Sequence, residues 1–130
     1  MEKSVKSVFL VLLLASLLTA CAPAQTPASD AVEGFLQALS DKDEALMLSQ
    51  VCAGYESDAL LEFDALAQVE TELKDVSCQQ ADTEGVTALV TCTGSIVSNY
   101  GSELFSYDLT GRTYRVEEDG DNWLVCGYAK

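Results

Sequence analysis

The sequence predicts an α+β fold, with N-terminal helices packed on one face of a curved antiparallel sheet. Three observations carry that expectation. The chain has 130 residues, room for a single domain. Between Asp30 and Val69 the apolar residues recur at helical spacing. After Glu72 the chain becomes rich in Val, Thr and Ile. Three turn signals, at 82–85, 99–102 and 119–120, cut it into successive strands. Helices first and a meander afterwards segregate the two kinds of element, which is the α+β pattern.

The first twenty residues are expected to be an address. Lys3 and Lys6 form a positive start, and Val8 to Leu18 is apolar apart from Ser16. That run is shorter than the roughly 20 residues a membrane span needs, and it suits a secretory signal. It ends in Leu18-Thr19-Ala20-Cys21. This tetrapeptide resembles the bacterial lipobox: a branched apolar residue three positions before Cys and a small residue just before it. The resemblance implies that residues 1–20 are removed and that Cys21 is diacylglycerated as the new N-terminus. The protein is then exported and anchored to the cell membrane or outer membrane through that lipid. Ala22 lacks the Asp that retains many Gram-negative lipoproteins at the inner membrane, which points to the outer membrane where a cell has one. Residues 21–29 hold both prolines and no charge, and read as a lipidated Cys and a flexible tether before a domain at 30–130.

Asp30 and Glu33 have the spacing of a capping box, and Val32, Phe35, Leu36 and Leu39 form the apolar stripe of a first helix. The polar break Ser40-Asp41-Lys42-Asp43 caps a second, with Leu46, Met47 and Val51 as its buried side. Gly54 separates it from a third, Ser57 to about Val69, whose apolar residues are Leu60, Leu61, Leu66 and Val69. Strands are expected at 73–80, 86–97, 104–117 and 123–128. Gly111 in the third of these suggests a bulge, which would let Tyr107 and Leu109 share a face with Arg112, Tyr114 and Val116.

Val32-Glu33-Gly34-Phe35-Leu36-Gln37-Ala38-Leu39, the break Asp41-Lys42-Asp43 and the late Gly120-Asp121-Asn122-Trp123-Leu124-Val125-Cys126 together resemble the nuclear-transport-factor-2-like superfamily, the cystatin-like cone. The pattern spans most of the chain after the signal, in short motifs. The resemblance implies helices laid across a curved sheet, often with a pocket between them. Enzymatic members usually place Asp, His or Tyr in that pocket, and this chain has no His.

Beyond Cys21 four cysteines remain, and an exported protein should pair them in one of three ways. A hairpin turning about Gly85 sets Cys78 opposite Cys92, within disulfide reach. Elimination then pairs Cys52 with Cys126. There is no C-x-x-C, so neither zinc nor a redox role is expected.

The charge excludes other classes. Acids number 21 against 7 bases. Loss of residues 1–20 removes one acid and two bases, leaving 20 against 5 and a formal charge near −15. Such a surface repels phosphate backbones, so no nucleic acid is expected. Without His there is no Ser-His-Asp or Cys-His catalysis. Hydrophobic residues at 48% exclude a disordered acidic chain. The acidic run at 117–121 lacks the twelve-residue series of a calcium loop and reads as a solvated turn. No metal or cofactor is expected.

Tyr107, Arg112, Tyr114 and Trp123 are the candidate ligand contacts, and Asp108 and Tyr128 are further residues that would line a cavity if they face inward. Arg112 either pairs with a neighbouring carboxylate or awaits an anionic ligand. The reading is a membrane-anchored, non-enzymatic lipoprotein whose domain binds a small ligand or a protein partner. The alternatives are a small-molecule enzyme on the same cone and, less favoured, an immunity or accessory factor whose acidic face meets a basic partner.

Overall fold

Helical backbone begins three residues before Asp30. In the computed structural model, which describes residues 26–130, the first helix α1 runs Pro27–Asp41. The signal, Cys21 and residues 22–25 lie outside the described residues. Thr26 is the cap: its Oγ1 accepts from Ser29 N at 3.2 Å, and Ser29 Oγ accepts from Thr26 N at 2.9 Å. Pro27 suits the first turn, where its missing N–H costs nothing. The capping box therefore sits at Thr26 and Ser29 instead of Asp30 and Glu33, and residues 26–29 are helix start, not tether. Glu33 is used elsewhere: its carboxylate accepts from Cys78 N at 2.8 Å, tying the helix to the sheet.

The expected stripe on α1 is buried throughout, with Val32, Phe35 and Leu36 at 0% exposure. Lys42 ends the helix in the left-handed region at φ 62°, a positive φ uncommon outside Gly. The second helix, α2, is Glu44–Ser49, capped by Asp43 Oδ1 on Leu46 N at 2.9 Å. Met47 is buried as expected, whereas Leu46 is exposed. Val51 belongs to no helix; it bridges in parallel to Val125. The third helix, α3, is Glu56–Leu66, preceded by a 3-10 turn at Ala53–Tyr55. Its inner face is Ala59, Phe63 and Leu66, and Leu61 points to solvent. Of the apolar residues of this helix, Leu61 thus falls on the outer side of the 3.6-residue period.

Five strands follow: β1 Glu70–Glu84, β2 Thr87–Asn99, β3 Leu104–Asp108, β4 Thr113–Asp119 and β5 Asn122–Ala129. All pairings between them are antiparallel, in the order β1-β2-β4-β5, with β3 also on β2. The expected single strand 104–117 is two. β2 pairs with β4 through residues 87–91 and with β3 through residues 95–99. Between them the chain turns at 109–112. Asp108 Oδ1 accepts from Thr110 N and Oγ1 at 2.8 and 2.7 Å, Arg112 N donates to Leu109 O at 3.1 Å, and Leu109 is fully buried. A local Asx turn anchored by one leucine thus replaces the bulge expected at Gly111.

Gly94 lies where β2 leaves one partner for the other. Opposite it β1 carries an irregularity between Lys74 and Ser77, with Asp75 at φ 52°. Cys78 faces Cys92, as the hairpin argument expected, and the two form a disulfide with Cα atoms 4.1 Å apart. The route differs in detail. Glu84 pairs with Thr87 across a two-residue turn, Gly85-Val86, and a further irregularity between Gln80 and Asp82 restores the cysteine register. The second pair, Cys52–Cys126, is also bridged, with Cα atoms 4.9 Å apart. Backbone bonds bring it together: Cys52 N donates to Val125 O at 2.9 Å and Val125 N to Gln50 O at 2.8 Å. The core lies between α1, α3 and the concave face of the sheet, where Tyr114, Val116, Val90 and Val125 meet Phe35, Leu36 and Leu39. Among the described residues no helix is long and apolar enough to cross a membrane.

Candidate functional site

The β3–β4 turn delivers Arg112 to the concave face, in line with Tyr114 at the start of β4. Tyr128 on β5 is directly opposite Tyr114. Their rings lie 5.4 Å apart, and the Arg112 guanidinium carbon sits 4.4 Å over the Tyr128 ring, a cation–π contact. From the helical side α3 contributes Glu62. It lies at i+3 from Ala59, so it flanks the buried stripe of that helix. Its two oxygens are divided between partners. Oε1 accepts from Tyr55 Oη at 2.5 Å, and Oε2 lies 3.7 Å from Arg112 Nη1. Arg112 Nη1 also donates to Tyr114 Oη at 3.3 Å. The Tyr55 ring lies beside Gly127 of β5 on its way to Glu62.

These residues wall a cavity of about 160 Å³ between α3 and the sheet, lined by Glu62, Leu66, Ile96, Tyr107, Arg112 and Tyr128, with Ala65 and Tyr100 at its rim. Tyr107 and Arg112 also line a neighbouring groove of about 390 Å³ that carries Asp108 and Lys130. A larger hollow of about 720 Å³ runs past Lys42, Thr71 and Val97. It mixes Glu70 and Glu72 with Lys42 and Lys74, and Lys42 Nζ is already bonded to Thr71 Oγ1 at 2.6 Å. Convergent polar groups inside aromatic walls mark the smaller cavity as the site.

Burial sets the ionisation of the cluster. It pushes the Tyr55 phenol well above its usual range, and the hydrogen bond and charge of Glu62 add to the effect. Burial likewise raises Tyr114, with Arg112 pulling partly back, and raises Tyr128, with Glu62 adding. Burial alone would lower Arg112, but the facing oxygens of Tyr114, Tyr128 and Glu62 outweigh it and the net shift is upward. At neutral pH Arg112 is therefore charged and the phenols of Tyr55, Tyr114 and Tyr128 keep their protons. The Thr110 N–H and hydroxyl hold Asp108 below the ordinary carboxylate range.

A pH prediction follows from the phenols. An unfolded tyrosine loses its proton near pH 10, while the folded ones hold theirs more tightly. Their contribution to stability is complete below about pH 10 and declines as pH rises beyond it, because the unfolded chain ionises first. Denaturant midpoints measured from pH 7 to 11 should be lower above pH 10. Tyr55→Phe should flatten that decline.

Of the four candidate contacts, Tyr107 and Arg112 line the cavity. Tyr114 lies behind it, fully buried, and takes part through its hydroxyl. Trp123 does not line it. It pairs with Glu118 beside the β4–β5 turn, at the other end of that hairpin, and packs against the core. Tyr128 faces inward as considered, while Asp108 belongs to the neighbouring groove. The sequence reading missed Glu62, Tyr55 and Tyr100. For Glu62 a signal existed: on a helical wheel it falls beside Ala59, Phe63 and Leu66. Cys52, Cys126 and Glu117 bring three potential metal-ligating side chains together, but the two sulfurs are joined as a disulfide.

No protein-family model and no curated protein matches the chain. Solved structures do match. A candidate dehydratase of the NTF2-like family from Streptomyces avermitilis is 21% identical with a TM-score of 0.52, over 79% of this chain and 95% of that one. A candidate ketosteroid isomerase from Shewanella frigidimarina is 15% identical with a TM-score of 0.55, over 80% and 94%. A Bdellovibrio bacteriovorus protein is 14% identical with a TM-score of 0.54, over 78% of this chain and 38% of that one. At such identities the likeness is one of fold. The fold is the NTF2-like cone, as the helix and strand motifs suggested.

Proposed function

We propose that the chain is an exported lipoprotein, acylated at Cys21, whose cone domain binds a small ligand in the cavity around Arg112 without transforming it. The observation that supports binding over catalysis is that the one carboxylate of the cavity wall, Glu62, is engaged by the Tyr55 phenol. Tyr55, Glu62, Arg112 and Tyr114 form one connected set, and Asp108 is held by Thr110. A general base needs a carboxylate free to accept a proton, and Glu62 already carries a phenol on one oxygen and a guanidinium beside the other. The anchor rests on Leu18-Thr19-Ala20-Cys21 and on the positive and apolar segments before it.

Expression in a bacterial host tests the anchor. Intact mass should show Cys21 as an acylated N-terminus, and Cys21→Ala should block processing or release the domain from membranes. An unacylated N-terminus at another residue would refute it. The enzymatic reading keeps one specific support, that Glu62 stands in the cavity wall among phenols. Turnover of a small substrate that is abolished by Glu62→Gln, with binding retained, would replace the binding reading by that one.

A further inference from the structure

The cavity has a chemical bias of its own. The inference drawn from it rests on the binding reading above and names the class of ligand. We propose that the cavity takes an organic carboxylate with a small planar apolar body, the carboxylate on Arg112 and the body against Tyr107, Ile96 and Tyr128.

Arg112 is oriented but incompletely used. Its hydrogen-bond and ion contacts both involve Nη1, at 3.3 Å to Tyr114 Oη and 3.7 Å to Glu62 Oε2. Charge-assisted bonds in good geometry are about 2.7–2.9 Å, so both contacts are loose. Among the described residues Nη2 and Nε have no hydrogen-bond partner. The guanidinium is held over the Tyr128 ring, with its side chain 15% exposed, and it borders both the cavity and the neighbouring groove. A guanidinium presents a planar fork that carboxylates and phosphates match edge-on, and of the two the planar, singly charged carboxylate is the smaller and suits the narrow space beside one guanidinium.

Charge in the site allows the exchange. Glu62 keeps its 2.5 Å bond from Tyr55 when Arg112 turns to a ligand, so its carboxylate is not left without a donor. Lys130 lines the groove beside Arg112, and the acid there, Asp108, is engaged by Thr110. A cationic ligand would instead have to dislodge Arg112 from the single carboxylate of the cavity. The walls decide the rest. Leu66, Ile96 and the tyrosine rings offer apolar and aromatic surface. At about 160 Å³ the space is smaller than the roughly 300–1,000 Å³ of drug-sized sites, so the body is on the scale of one ring.

The test uses the full chain, isotopically labelled and held in detergent, titrated with phenylacetate, its neutral isostere phenylacetamide, and acetate. Phenylacetate should shift the amides of Tyr107, Arg112 and Tyr128 saturably, and bind at least about tenfold more tightly than phenylacetamide, the equivalent of losing one charge-assisted bond. Acetate, which lacks the body, should bind more weakly still. Arg112→Lys should remove most of the preference for acid over amide. Tyr107→Ala, at an exposed position with little consequence for folding, should weaken phenylacetate without changing that preference. Equal affinity for acid and amide at the same residues would overturn the carboxylate assignment and leave the binding cavity in place. Failure of all three probes to shift these residues would overturn both. Saturable shifts confined to the Lys42–Lys74 hollow would place the ligand elsewhere and overturn the assignment.

Discussion

Gly94→Ala should cost on the order of 4 kcal/mol, a large part of the 5–15 kcal/mol that holds a domain of this size together. Two separate terms add. Gly94 has φ 88°, where a side chain costs about 1–3 kcal/mol in backbone strain. A Cβ there would also lie 2.5 Å from the carbonyl oxygens of both Lys74 and Asp75. These are backbone atoms of β1, so relief requires moving the strand, and overpacking of that kind costs a further ~1–3 kcal/mol. Gly101 separates the terms, since it has φ 91° and open space around it. Gly101→Ala should show the conformational cost alone, about 1–2 kcal/mol. Urea midpoints of the two variants measure the difference, and equal losses would mean that β1 yields to the methyl at no cost. The effect should reach the site as well. Gly94 O accepts from Leu109 N at 3.0 Å, and that turn carries Arg112. Partial accommodation would therefore show as a displaced Arg112 and weaker ligand binding.

Which features could be read from the sequence depends on how local their causes are. The α1 stripe Val32, Phe35, Leu36 and Leu39 is a periodic pattern within ten residues, and every member is buried. The Cys78–Cys92 pairing follows from one turn, because a one-residue slip would put the two cysteines on opposite faces. It survived an error in the turn itself only because the irregularity at Gln80/Asp82 compensates. The break between β3 and β4 was not legible as such. Gly111 signalled a disturbance, but its form depends on β2 changing partners at Gly94, a fact of the whole sheet. The site divides the same way. Tyr107, Tyr114 and Tyr128 come from strands whose alternation could be followed, and Arg112 immediately precedes one of them. Glu62 comes from a helix about fifty residues away in sequence, and its approach to Arg112 is set by how α3 crosses the sheet. An expectation that Arg112 pairs with some carboxylate could be reached from the excess of acids; the identity of that carboxylate needed the fold.

Removing Cys52–Cys126, by replacing both residues with alanine so that no odd thiol remains, should lower stability by about 4 kcal/mol. The bridge joins residues 74 apart in sequence, and closing a loop of that length removes about that much denatured-state entropy. Both residues are only half-buried, so little of the loss would come from truncation itself. The denatured chain of the variant, no longer looped, should expose more surface, and the urea m-value should rise along with the fall in midpoint. A lower midpoint with an unchanged m-value would assign the loss to native packing instead. The folded state should also feel the change, because Cys52 immediately precedes the turn that leads through Tyr55 into α3. The two backbone bonds at Val125 remain to hold that segment, and they limit the displacement. What they do not hold is the angle at which α3 leaves the turn, and that angle sets the reach of Glu62 to Arg112. Loss of the bridge is therefore expected to weaken binding in the cavity even at temperatures where the variant is fully folded, so that the bond farthest from the ligand in kind, a cross-link with no polar group to offer, contributes to affinity by fixing one wall against the other.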